Sequence, residues 1–154
     1  MIRMGTFIQK VASFFHLGRL PDNVRTQMIS EGGILYLAEG IAETAIFTDF
    51  RSPGIYCSSR RLTLIGFFAL SDHRIVLRAN CYHEILINTT YDDTKFKGIT
   101  FKTSKTDQGF LSLTFDAAGY ILAASGQVEI RLHLPDSSMA VKILNQKGVC
   151  INSE

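Results

Sequence analysis

The chain has 154 residues, of which 46% are hydrophobic and 19% charged, with eleven Phe, five Tyr and no Trp. That length fits one domain with a single sizeable core and a short extension, and the composition excludes a disordered chain. A formal net charge of +2 argues against nucleic acid as a partner, because phosphate-backbone binding needs a concentrated basic face.

In chain order, residues 6–17 place Phe7, Val11, Phe14 and Phe15 at three- and four-residue spacings, with Ile8 beside them. This predicts a helix closed by Gly18. Pro21 opens a second predicted helix over residues 22–30, with Asp22 and Asn23 at its start and Gly32-Gly33 stopping it. The period then changes to two. Residues 34–47 form a long apolar strand that Gly40 bends or bulges. Leu62, Leu64, Gly66, Phe68 and Leu70 share one face of a second strand, and Ile75, Leu77 and Ala79 line a third, with Arg74, Val76 and Arg78 on its wet side. Further strands are expected around Ile85 and Ile87, Ile99 and Phe101, Leu111 to Phe115, and Val128 to Leu134, where Glu129, Arg131 and His133 point outward. Asp92-Asp93, residues 106–109, Gly119 and Gly126 supply turn chemistry between them. In PDSSMAVKILNQKG, Pro135 ends the last strand, Asp136 or Ser137 can cap a helix, and Gly148 ends it.

The expected fold is mainly β (α+β), with about seven antiparallel strands curling into a partly open barrel. Two N-terminal helices precede it and a C-terminal helix caps it. The divisions are a helical extension over 1–31, the barrel domain over 32–148, and a tail over 149–154.

Two segments carry a family likeness. LTLIGFFALSDHRIVL, residues 62–77, resembles the Gly-x-x-x-Leu-Thr-Asp-x-Arg hairpin of bacterial pleckstrin-homology-like and GRAM-type domains, with Ser71 where that pattern has Thr. Upstream, TDFRSPGIYCSSRR, residues 48–61, is similar to the tyrosine/phenylalanine-Arg-x-Pro-Gly linker of those domains. The likeness covers roughly residues 30–147. It implies a seven-stranded barrel with a C-terminal capping helix, acting as a non-enzymatic scaffold that binds proteins, lipids or further copies of itself.

Catalytic and metal chemistry find little support. Ser71-Asp72-His73 cannot readily form a nucleophile, base and orienter from three consecutive residues, so turn chemistry explains them better. Cys57, His73, Cys81 and His83 lack the paired spacings of a zinc site, which leaves buried thiols as the expectation and no metal or cofactor. Three cysteines at no recognisable spacing argue against a disulfide framework and for a reducing compartment. No apolar run of about 18 residues would span a membrane as a helix. Residues 1–20, with Lys10 inside the apolar stretch, read as mature sequence rather than a signal peptide. The expected location is cytoplasmic, extending at most to the inner face of the membrane.

Charge is the remaining signal. Glu31, Glu39, Glu43 and Asp49 lie in a stretch without Lys or Arg, whereas Arg51, Arg60, Arg61, Arg74 and Arg78 follow with only Asp72 against them. These arginines are the candidate binding face, although a solvated sheet face gives the same alternation. Phe7, Val11, Phe14 and Phe15 are the candidate interface. The expected function is a non-catalytic module acting through a protein partner or self-association as a homo-oligomer. The alternatives are a barrel binding an anionic membrane or an apolar ligand, and after these a hydrolase using His73 or His83.

Overall fold

The structure, a computed structural model, describes residues 18–80, 84–104 and 109–153. The predicted helix over 6–17 therefore lies outside the described residues. The second predicted helix forms as α1 (Asp22–Ser30). Pro21, at φ −58°, precedes it, and Asp22 places a carboxylate beside the free N–H groups of the first turn. Gly32 and Gly33 take φ of +125° and +105°, and the Gly33 N–H returns to the Met28 carbonyl at 3.0 Å. Glycine tolerates that left-handed exit at little steric cost.

A β-meander follows: β1 (Ile34–Ser52), β2 (Ile55–Ser71), β3 (Arg74–Asn80) and β4 (Glu84–Thr90). A short helix α2 (Thr94–Lys97) leads to β5 (Thr100–Thr103), β6 (Leu111–Asp116) and β7 (Ser125–Leu132). Helix α3 (Ser137–Gln146) and β8 (Ile151–Ser153) end the chain. All eight strands belong to one sheet in the order β4-β3-β2-β1-β7-β6-β5-β8, which does not close. β5 and β8 run parallel and every other pair is antiparallel. The expected count of seven strands is thus one short. Residues 151–153, expected to be tail, add the eighth strand, and a run of three residues is too short for its period to be read.

The bend expected at Gly40 is a β-bulge. The β1–β2 register shifts by one between Ala38 and Ile41, and Gly40 sits at φ +62°. The bulge admits the incoming chain: the Gly40 N–H donates to the Gly18 carbonyl at 2.8 Å. A Cβ at Gly18 would lie 2.6 Å from the Gly40 Cα.

Inward side chains of all seven antiparallel strands and of α3 form one core. It runs from Ile85 and Ile87 on β4, through Phe68, Leu77 and Phe47, to Phe101, Leu113 and Phe115, with Ala140, Ile143 and Leu144 of α3. A smaller cluster lies on the other face of β2 and β3, where Leu20, Val24 and Met28 cover Phe67, Ala69 and Val76. Val76, expected on the wet face, is therefore fully buried. The sheet is wrapped on both sides wherever α1 crosses it, so simple alternation fails there. The capping chemistry of α3 agrees with the sequence, since the Asp136 carboxylate accepts from the Met139 N–H at 3.3 Å.

Candidate binding surface

The five candidate arginines do not form one face. Arg74 is committed within the fold. Its Nε and Nη2 each donate at 2.7 Å to the two carboxylate oxygens of Glu31, and its Nη1 donates to Asn88 Oδ1 at 2.7 Å. This fork ties the C-terminal end of α1 to β3 and β4, and the guanidinium holds the Glu31 carboxyl below the usual carboxylate range. Arg78 pairs with Glu84, Nε to Oε1 3.1 Å, across the β3–β4 hairpin.

The other three stand on the β1–β2 hairpin. Arg51 and Tyr56 are directly opposite in the ladder, with the guanidinium 4.9 Å from the ring centroid. Arg60 and Arg61 are exposed on β2, opposite Phe47 and Ile46. Directly opposite residues share a face, so Arg60 falls on the core side at the rim and Arg61 on the outer side. The candidate interface residues Phe7, Val11, Phe14 and Phe15 lie outside the described residues.

The acidic stretch is also divided. Glu39 holds the incoming chain: Oε1 accepts from Arg25 Nη2 at 2.9 Å and Oε2 from the Leu20 N–H at 3.1 Å. Glu43 faces the core. It is fully buried, and neither carboxylate oxygen has a hydrogen-bond partner. Burial pushes its carboxyl well above the usual range. It has room because Gly66 lacks a side chain. A Cβ there would lie 2.6 Å from Glu43 Oε1 and would collide with the Arg78 carbonyl oxygen. The signal for this placement is in the sequence, since Glu43 shares the parity of Ile41, Ala45 and Phe47.

Ser71-Asp72-His73 is the β2–β3 corner. The Ser71 hydroxyl accepts from the His73 and Arg74 N–H groups at 3.3 and 3.1 Å. Its carbonyl accepts from the Tyr91 hydroxyl at 2.7 Å. Asp72 turns away from the local backbone and takes the Lys147 ammonium at 2.7 Å, which lowers its carboxyl from the ordinary value. Asp93 caps α2 by accepting from the Lys95 N–H at 2.8 Å.

Of the four residues considered for a metal, Cys81 and His83 lie outside the described residues. The expectation of buried thiols does not hold for the two described cysteines: Cys57 is half-buried and Cys150 exposed. Each sits where the chain borders solvent, on the hairpin arm and just before β8.

Two further surface features escaped sequence reasoning. A cleft of about 640 Å³ lies between the Gly40 bulge and the β7–α3 connection, bordered by Arg19, Glu39, Ile41, His133 and Leu134. The described Phe residues do not border that cleft. They pack on one another and on tyrosines, as in the Tyr91–Phe96 and Phe96–Phe101 contacts at 5.3 and 5.7 Å. Burial pushes the hydroxyl of Tyr120, whose ring packs on Phe115 at 5.0 Å, up to about 12. The second feature is Leu122, 94% exposed beside Ala123 at φ +56°, in the loop before β7. The ladder sets this loop next to Arg51 through the Arg51–Ser125 pair.

No helix of the described residues is long and apolar enough to cross a membrane. No protein-family model matches the chain, and no curated protein sequence matches it.

Proposed function

We propose that this protein is a non-catalytic binding module on a pleckstrin-homology-like barrel, acting through protein–protein contacts. The observation that carries the reading is the β1–β2 hairpin. It extends past the last β2–β3 pair at Gly66 and presents Arg51, Tyr56, Arg60 and Arg61 to solvent. The fold likeness is supported by two antiparallel runs, β1 to β4 and β5 to β7, joined through the β1–β7 pair and followed by α3, and by Gly66, Leu70, Asp72 and Arg74, which stand in the family's hairpin pattern. Gly66 and Arg74 are accounted for by the fold, Gly66 by close packing and Arg74 by its fork with Glu31. Arg61, exposed on β2, and Arg51, stacked on the exposed Tyr56, are the basic residues this reading assigns to a partner.

Sedimentation velocity and crosslinking of the full chain in extract of its own cells test this reading. We expect crosslinks from a second protein, or from a second copy, that map to residues 51–61. A monomer at every concentration, with no crosslink beyond its own chain, would overturn it.

A second reading, peripheral binding to an anionic membrane, is favoured by one observation. Tyr56, 60% exposed, lies opposite Arg51 in the ladder, and Leu122, 94% exposed, stands in the loop that ends at Ser125, the β7 partner of Arg51, which brings an apolar tip to the same end of the sheet as a cation. Flotation with vesicles of mixed phosphatidylserine and phosphatidylcholine should then show binding that weakens with salt and in Leu122→Ser. Recovery of the protein in the unbound fraction at low salt would rule it out.

A further inference from the structure

We propose that the free edge of β4 pairs antiparallel with the same edge of a second copy, joining two sheets across a two-fold axis at Leu86. The proposal goes beyond the reading above, which concerns residues 51–61, and stands on a separate surface.

The edge follows from the ladder. β4 is the first strand in the sheet order, and among the described residues no strand lies against its outer side. Its pairing with β3 runs without a register shift from Asn80 and Glu84 to Arg74 and Thr90. The phase of the hydrogen bonds is fixed by the Tyr91 N–H, which donates to the His73 carbonyl at 3.2 Å. Bonded and unbonded pairs alternate in an antiparallel ladder, so Thr89, Ile87 and Ile85 also turn their backbone groups toward β3. Glu84, Leu86 and Asn88 therefore turn theirs outward. These three are exposed, whereas Ile85, Ile87 and Thr89 are buried.

Nothing in the strand guards this edge. The segment EILINTT holds no Pro, Lys or Arg, and its one charged residue, Glu84, is paired with Arg78 of the same chain. Natural sheets usually protect such an edge with a bulge, a proline or a lysine. The opposite end of the sheet, β8, is only three residues long and offers no comparable template.

The side chains name a second copy as the occupant. Under a two-fold axis at Leu86, that residue faces its own copy on the outer side, where it is 42% exposed. Ile85 then meets Ile87 of the other copy on the inner side, and Glu84 meets Asn88. Each apolar residue finds an apolar one, and no like charges stand opposite. An axis at Ile87 would instead set Leu86 against Asn88, a poorer match. Self-complementarity under a two-fold is what an isologous dimer requires. The span from Glu84 to Asn88 is a small contact, so the dimer is expected to dissociate at around micromolar concentration.

Sedimentation velocity of the full chain, from micromolar to millimolar concentration, should show a reversible dimer. We expect Leu86→Lys to weaken it at least tenfold by opposing two ammonium groups, and Leu86→Val to retain it. With Cys57, Cys81 and Cys150 replaced by Ser, Leu86→Cys should form a symmetric disulfide when oxidised with copper–phenanthroline. Bonded pairs hold their Cα atoms about 5.5 Å apart, within reach of that bond. Asn88→Cys in the same background should not link, since its copies would stand roughly 14 Å apart along the strands. A monomer at every concentration overturns the proposal, as does a dimer indifferent to Leu86→Lys or one that links through position 88 and not 86. Crosslinks from residues 84–90 to a different protein also overturn it, by giving the edge another occupant. A monomer that crosslinks to a partner at residues 51–61 would overturn the dimer and keep the wider reading. Leu86 is partly exposed, so a melting curve matching the native chain's should verify that Leu86→Lys remains folded.

Discussion

Glu43 is the residue at which charge and period give opposite answers. Counted as charge, it joins Glu31, Glu39 and Asp49 in an acidic stretch. Counted by position, it alternates with Ile41, Ala45 and Phe47 and so points inward, and the structure follows the period. Its carboxyl packs below Gly66 between Leu64 and Leu132, its ladder neighbours on β2 and β7. Because burial raises the folded-state pKa above the unfolded value of 4.5, the folded chain holds this proton more tightly. The contribution is therefore full below the unfolded pKa and is lost as pH rises through the folded pKa. Urea unfolding from pH 5 upward should show stability falling by as much as about 1.4 kcal/mol per pH unit from this group. Glu43→Gln should flatten that slope, and an unaltered slope in the variant would assign the titration elsewhere. The same niche makes Gly66→Ala costly. The added methyl meets the Arg78 carbonyl oxygen and the Glu43 carboxylate together, so a loss of roughly 1–3 kcal/mol or more is expected in the same unfolding assay.

At the scale of elements, helix ends and strand faces were legible because their determinants are local. Pro21 with Gly32-Gly33 bounds α1, and Pro135 with Asp136 starts α3, all within a few residues of the element they govern. Asp136→Ala should cost about 1 kcal/mol by removing the acceptor of the Met139 N–H, measurable by chemical denaturation. The partners of the arginines were not legible, because Glu31 and Arg74 meet across 43 positions of sequence. Nothing in a local window distinguishes Arg74, held in that fork, from Arg61, displayed on an edge. Two short elements, α2 and β8, were missed for a different reason: four and three residues are fewer than a period needs to declare itself. The fork has its own test. Arg74→Ala should release the C-terminal end of α1, raising amide exchange there, whereas Arg74→Lys should restore only part of the protection because it cannot make both bonds. Unchanged exchange in α1 would show that Val24, Met28 and the Arg25–Glu39 pair hold the helix without the fork.

The described residues form one large core and one small one, separated by the β2–β3 part of the sheet. The large core joins β4 at one end of the sheet order to β5 near the other, so none of its strands can leave without exposing the rest. The small core depends on Leu20, Val24 and Met28, from a helix and a connecting segment that make little other apolar contact with the sheet. Opening α1 exposes Phe67, Ala69 and Val76 but leaves the inward face covered, so it should proceed at a lower free energy than global unfolding. Native-state hydrogen exchange should therefore place α1 in a less protected class than β1, β6 and β7. Two substitutions separate the cores. Leu113→Ala, in a fully buried position, should cost about 2–5 kcal/mol and lower protection in strands as distant as β3. Met28→Ala should reduce protection mainly in α1 and at the outward residues of β2 and β3. Equal loss throughout the chain in Met28→Ala would mean that the two clusters unfold as one unit and that α1 belongs to the cooperative body of the sheet.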